Sequence, residues 1–387
     1  MDVDTALTRP FDHVARRARL YERLDAEGIE VLFLPADQAD FEYYLGIPRR
    51  APSFGAIAYT NHWISGAFLA PGREPLLVLT RHFQEFDLPD GVEGDLVTAT
   101  ETDDGRAVFT AAFDRFPGTR VGVTSRTWAE VGVELARHRP GIDLIIADPV
   151  LAGIRAIKDD HEIALMRRAA HIADEVLREV TPLVVPGMTE IELASEVELR
   201  MRRHGSTGPS FDTGVWGMGP HLGRDASVRV STDALTAGTG VSFDYGAIVR
   251  GYCSDFGRTV HIGEPSAEYE RVHAIVMAAQ EAARVAAVPG ATGGQAHKAA
   301  RAVIDDAGYG EGFRHRVGHC IGLDVHEHPF LSAEDNTPLR PGMLFTLEPS
   351  IFLPGRVGVR VEDVFLLTET GAESINTHPH DLLATGR

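Results

Sequence analysis

Four carboxylates and one imidazole carry the chemistry open to this chain of 387 residues. In VSFDYGAIVRGYCSDFGRTV, residues 241 to 260, Asp244 and Asp255 stand on two β-like runs that meet at a turn near Val249 to Gly251. A hairpin centred there sets the two aspartates face to face. Like charges directly opposed across a ladder are destabilising, so something positive is expected between them. In FTLEPSIFLPGRVGVRVEDVFLL, Glu348 and Glu362 lie symmetrically about Leu353-Pro354-Gly355-Arg356, a run with strong turn chemistry. A lone Asp or Glu is ordinarily a solvated surface charge. These stand among Phe243 and Tyr245, Leu347 and Pro349, and Val361, where burial without compensation is costly. With His319 of RVGHCIGLDVHEHP as a fifth donor, the set is an oxygen-rich site with one imidazole. It suits Mn, Co, Fe or Zn and is unlike the thiolate sites of structural zinc. Two divalent ions would neutralise four carboxylates, and ions about 3.5 to 4 Å apart can hold a bridging water, lower its pKa and clamp a tetrahedral intermediate. Hydrolysis of an acyl bond follows.

Two units must position these groups. An amphipathic helix around His13 to Ala26 ends at Gly28 and leads into the apolar run IEVLFLPA. Further strands are expected at GAIAYT, PLLVLT, RVGVT and IDLIIA, with helical stretches such as TWAEVGVELARH, giving an α/β domain over residues 1–150 that ends near Asp148-Pro149. A second domain, 151–387, opens on a long helix whose apolar positions include Ile163, Met166, Ala170 and Ala173. Within it, Val185-Pro186-Gly187-Met188-Thr189 leads into a helix with a Thr189 to Glu192 capping box that stops at Gly205. Val288-Pro289-Gly290-Ala291-Thr292 leads into another that stops near Gly308. A helix, a Val-Pro-Gly-x-Thr turn, a helix and then strands, twice, point to an internally duplicated α+β domain, each half supplying one carboxylate hairpin.

Composition narrows the partners. Lys+Arg 37 against Asp+Glu 56 gives a net charge of -19, a surface that repels nucleic acid and anionic membrane. The first residues carry no secretory pattern and no apolar run is long enough to span a membrane, so a cytoplasmic protein is expected. Two cysteines, Cys253 and Cys320, form no disulfide framework and fit a reducing compartment. Free Cys is most often small buried filler, and neither is assigned as a nucleophile.

The runs FDYGAIVRGYCSDFGRTV, GHCIGLDVHEHP, PGMLFTLEPSIFLPG and GVRVEDVFLLTETG resemble, in order and spacing, the signature segments of the pita-bread metallopeptidases, in particular the Xaa-Pro dipeptidases (prolidases) and Xaa-Pro aminopeptidases. The resemblance covers residues 151 to 387, with a looser likeness of the first domain to the family's creatinase-like N-terminal domain. It implies an α/β creatinase-like domain followed by an α+β pita-bread domain with an internal pseudo-twofold repeat. It further implies that Asp244 chelates one metal, that Asp255 and Glu362 bridge two, and that His319 and Glu348 hold the second, with Mn placed ahead of Co, Zn and Fe. Glu348 would also act as general base. His221, in GPHLGRD, and His326 match catalytic histidines that contact substrate and the tetrahedral intermediate. His315 matches a substrate-facing histidine, and Arg360 an arginine that grips a substrate carboxylate or orients the site. The family also implies a homodimer whose N-terminal domain reaches the neighbouring active site.

Blander readings stand beside these. His315, His326 and His328 could belong to a polar surface loop, and Arg360 could simply pair with a carboxylate. The sequence departs from the family pattern at Cys320, at Ser350 where Gly is common and at Phe352 where Tyr is common; none of these removes a ligand. The leading expectation is a dinuclear metal-dependent exopeptidase that cleaves the bond before proline, favouring Xaa-Pro dipeptides. The alternatives are the same centre acting on a non-peptide small molecule, as cyclic amidine hydrolases or sulfonium lyases do, and a catalytically inactive binding module.

Overall fold

The first amphipathic pattern becomes the helix His13–Glu27, where the Asp12 side chain accepts from the Ala15 amide and Gly28 closes the other end in the left-handed region (φ 66°). The computed structural model describes residues 3–49, 60–220, 222 and 229–386. These form two compact units, Pro10–Arg155, and Met1–Arg9 together with Ala156–Arg387. No helix among the described residues is long and apolar enough to cross a membrane.

Pro10–Arg155 is a six-stranded mixed sheet in the order Asp95–Ala99, Leu76–Thr80, Gly66–Leu69, Val31–Pro35, Arg120–Val123, Asp143–Ile146. Phe33, Phe68, Phe109 and Phe113 fill its core. The expected strands in IEVLFLPA, PLLVLT, RVGVT and IDLIIA are all present. GAIAYT falls, apart from Thr60, outside the described residues. Gly66–Leu69 and Asp95–Ala99 escaped notice because a four-residue strand and a strand opening on exposed Asp95 and Leu96 carry little periodicity.

The other unit is doubled. Helices Asp160–Val180 and Glu190–Arg203 precede a four-stranded sheet ordered Leu383–Thr385, Phe256–Ile262, Gly240–Tyr245, Gly214–Met218. Helices Ala267–Ala286 and Gly293–Asp306 precede a five-stranded sheet ordered Glu327–Leu331, Gly318–Cys320, Leu344–Leu347, Asp363–Thr368, Gly371–Ser374. The two Pro-Gly turns behave alike: both following helices open on capping boxes, Thr189 with Glu192 and Thr292 with Gln295. The Gly187 amide donates to Leu235 O at 2.9 Å and Leu235 returns a bond to Met188 O at 2.7 Å; Gly290, Leu339 and Ala291 repeat the pattern at 2.9 and 2.7 Å. Asp244 and Glu348 each stand nine residues beyond the leucine so fixed, so the repeat makes them counterparts.

The two hairpins differ in register. Ser350 pairs with Arg360 and Leu347 with Asp363, which brackets Glu348 and Glu362 level with each other, as their symmetric spacing indicates. In the first hairpin the expected opposition of Asp244 and Asp255 does not occur: Asp244 pairs with Gly257, and Asp255 lies just beyond the ladder. Here the chain turns between Val249 and Tyr252 on Arg250 (φ 48°) and Gly251 (φ 83°), a two-residue turn with both central residues at positive φ. Its centre is one residue later than assumed, and moving a hairpin's centre by one residue moves the pairing by two.

Candidate metal centre

Asp244 is the next-to-last residue of the strand Gly240–Tyr245, Asp255 precedes Phe256–Ile262, Glu348 follows Leu344–Leu347, Glu362 precedes Asp363–Thr368, and His319 lies within Gly318–Cys320. All five are buried. One carboxylate oxygen from each of Asp244, Asp255 and Glu362 lies within 4.8 Å of the others. His319 Nε2 joins them, 3.4 Å from Asp255 Oδ2 and 3.3 Å from Glu348 Oε1. The hairpins meet through their backbones, since the Glu362 amide donates to Gly257 O at 2.9 Å and the Gly257 amide to Glu362 O at 3.3 Å. Gly257 is needed at this junction: a Cβ there would stand 2.9 Å from both Glu362 Oε2 and Arg360 Cδ. The ladder between Gly318–Cys320 and Glu327–Leu331 shifts register between His319 and Cys320, a bulge of the kind that re-aims a side chain.

Electrostatically the cluster is under pressure. Burial, outweighing the His319 hydrogen bond and reinforced by the Asp244 charge, pushes Asp255 up to about 6. Glu362 is driven well above the carboxylate range by burial and by Asp255, Glu348 and Asp244. Burial raises Glu348 too, but the charges of His319 and Arg360 outweigh it and hold the group below its ordinary value. Arg360 supplies positive charge from within the protein: it pairs closely with Asp244 and lies 3.6 Å from Glu362 and 3.7 Å from Glu348.

The residues fit a divalent cation. Asp255 Oδ1 and Glu362 Oε2 are buried with no hydrogen-bond partner, a state that is costly unless a cation is supplied. His319 Nδ1 lies 3.0 Å from Cys320 O; a carbonyl only accepts, so Nδ1 carries the proton and Nε2 can offer its lone pair to a metal.

Beneath the ligands lies a buried support. Arg258, next to Gly257, donates to Glu362 O at 2.7 Å, to Gly257 O at 2.8 Å and to Asp363 Oδ1 at 2.7 Å. Gln280 donates to Asp363 Oδ2 at 3.1 Å and to Leu347 O, beside Glu348, at 3.0 Å. His380 bonds Asp363 Oδ2 at 2.7 Å. Burial raises Asp363, but Arg258 and His380 overcome it and bring it down to about 2. Arg258 and Asp363 stand in the same apolar runs as Asp255 and Glu362, so the criterion that singled out the ligands could have found them.

Of the other expected residues, His326 packs its ring against His319 at 4.2 Å between centroids and is open to the cavity. Partial burial, then the His319 charge, pushes its pKa down. His315 Nε2 lies 2.6 Å from Ser350 Oγ and 3.5 Å from an Arg360 nitrogen; burial first, then Arg360, lowers it. His328 is exposed. His221 lies outside the described residues. Cys253 and Cys320 are buried and unbridged, and burial takes the Cys320 thiol up to about 12, far from a nucleophile's range. The cavity above the ligands, about 690 Å³, is also walled by Phe211, Trp216 and Phe352 and by Arg229, Arg314 and Arg316, none of them singled out as site residues beforehand.

The chain is similar to known proteins along most of its length. The model of metallopeptidase family M24 matches residues 164–369, more than half of the chain. An Xaa-Pro dipeptidase of Pyrococcus furiosus is 36% identical over 236 residues, 61% of this chain and 67% of that protein. The uncharacterized peptidase YqhT of Bacillus subtilis is 38% identical over 235 residues, 59% of this chain and 65% of the relative, so the matched stretch spans about two thirds of these proteins. The structure of a prolidase from Thermococcus sibiricus superimposes over 97% of this chain and 100% of that one, with a TM-score of 0.88 at 28% identity. The architecture is accordingly the pita-bread fold behind a creatinase-like α/β domain, and the chain belongs to metallopeptidase family M24.

Proposed function

We propose that this protein is a metal-dependent exopeptidase that hydrolyses the bond preceding proline, with Xaa-Pro dipeptides as favoured substrates. The observation that carries the reading is the convergence of four buried carboxylates and His319 at the floor of one cavity, two carboxylate oxygens lacking a hydrogen-bond partner. Two ions are the expected complement, Mn ahead of Co, Zn or Fe, with Asp244 serving one, His319 and Glu348 the other, and Asp255 and Glu362 both. Bound there, divalent ions supply Lewis acidity toward a carbonyl oxygen and lower the pKa of a water.

The chain's own groups do the rest. Glu348, held ionised by His319 and Arg360, takes the proton of the attacking water and returns it to the leaving nitrogen. That nitrogen is the tertiary amide of an Xaa-Pro bond, which has no N–H of its own. His326, neutral at physiological pH, offers a ring nitrogen to the oxygen on which charge develops, and His221 is assigned to the same task. His315 and Arg360 orient the substrate end of the site. Trp216, Phe352 and Phe211 give the cavity apolar walls for a pyrrolidine ring. Names among the relatives support this reading, an Xaa-Pro dipeptidase and a prolidase. A homodimer in the cytoplasm is the setting expected for such an enzyme.

The test is a substrate panel with the Mn-loaded protein: Xaa-Pro dipeptides, Xaa-Pro tripeptides, ordinary dipeptides and cyclic amidines. Cleavage of the Xaa-Pro dipeptides ahead of the rest is expected. Turnover of an amidine with every peptide left intact would overturn the reading.

A further inference from the structure

Lys158 and Glu327 form an ion pair, Nζ to Oε2 at 2.9 Å, whose side chains are only 1% and 7% exposed. Neither residue lines the cavity, and neither has a part in the hydrolysis described above. Taking two charges out of water is costly even when they meet, and replacing such a pair by apolar residues is often neutral or stabilising. Stability of the fold therefore does not account for it.

Its position offers a reason. Lys158 stands beside Asp159, which opens helix Asp160–Val180 with a full capping box, and the Lys158 amide donates to Gly342 O at 2.9 Å. The ammonium is thus delivered from a firmly held stretch. Glu327 directly follows His326 and is the first residue of the strand Glu327–Leu331. Residues 321–326, which join that strand to Gly318–Cys320, contain no helix or strand. The Glu327 carboxylate fastens this loop from inside: Oε1 accepts from the Asp324 amide at 3.3 Å, and a Cβ on Gly322 would stand 2.7 and 2.8 Å from its two oxygens. His326 is held between Asp324 and Glu327. Its ring lines the cavity and packs against His319, but it makes no hydrogen bond among the described residues. A ring with no such bond of its own takes its aim from the backbone beneath it.

We propose that Lys158 and Glu327 are positioning residues for His326, the pair fixing the loop so that the imidazole meets the oxygen on which charge develops. The inference rests on the role given to His326 in the exopeptidase reading. A donor to a developing oxyanion works only where it is preorganised at hydrogen-bond distance from that oxygen, and a displacement of about 1 Å at such a group costs about a hundredfold.

The test measures kcat and KM for Ala-Pro, Mn content and Tm in the Mn-loaded wild type, in the double variant Lys158→Met with Glu327→Met, and in Glu327→Asp, each with and without His326→Ala. The double variant removes both charges together and should keep a Tm near that of wild type. Its kcat and kcat/KM should fall together by about tenfold to a hundredfold, with Mn content unchanged. Glu327→Asp, which keeps both charges and draws the carboxylate back by one methylene, should show a smaller loss of the same kind. On the His326→Ala background both losses should vanish, because the group they act through is gone. A double variant with wild-type kcat, an equal fold-loss with and without His326, or loss of Mn from either variant overturns the proposal while leaving the exopeptidase reading intact. A Mn-loaded wild type that leaves Ala-Pro uncleaved overturns both, and shows this before any variant is made.

Discussion

The two hairpins that carry the ligands solve the same electrostatic problem differently. In the second, Glu348 and Glu362 stand level. In the first, Asp244 faces Gly257 and Asp255 is displaced along the strand. The displacement and the glycine together leave an open place, which the Glu362 carboxylate occupies. One hairpin thus supplies a gap and the other a charge to fill it, and the backbone pair between Gly257 and Glu362 locks the fit. Two carboxylate pairs that would each be unfavourable alone become one cluster suited to shared cations.

The difference can be broken at graded cost. The largest effect is expected from Glu362→Gln, which removes the charge that crosses between hairpins: hydrolysis should be abolished and divalent ion lost, as seen by metal analysis after dialysis. Gly257→Ala should follow, since a methyl 2.9 Å from Glu362 Oε2 displaces a ligand by a fraction of an ångström, and misplacement of that order costs about a hundredfold. Steady-state kcat with metal content checks it. Asp363→Asn removes the charge that Arg258 and Gln280 use to hold both hairpins. About tenfold weaker metal affinity is expected, read from a Co2+ titration by visible absorption, together with a lower Tm from the unpaired buried Arg258. The smallest change is Ser350→Ala, which deletes the His315 bond at the rim of the second hairpin. At ~1 kcal/mol it should shift kcat/KM by about fivefold and leave metal binding alone.

These positions also mark what was legible in the chain. The Glu348 and Glu362 register could be read because Pro354-Gly355 fixes the turn, and both helix starts because the Val-Pro-Gly-x-Thr turn and, at Thr189, the capping box are local signals. The Asp244 and Asp255 offset was misread because Arg250 occupies a positive-φ position that Asn or Gly more often signals. Arg258, Gln280 and Asp363 were missed for another reason. The bonds that join them to one another span 83 to 105 residues, so although Arg258 and Asp363 share the apolar runs of the ligands, their pairing leaves no periodic trace. Arg316 stood in plain view between His315 and His319, but only the structure shows that its Nε is buried without an acceptor.

Placement of the ions decides whether the two hairpins make one centre. Crystals grown with Mn2+ and measured for anomalous scattering should show density among Asp244, Asp255 and Glu362 and a second peak reached by His319 and Glu348, close enough for Asp255 and Glu362 to serve both. Absence of any anomalous peak at these residues, or a peak bound by one hairpin alone, would contradict the shared centre.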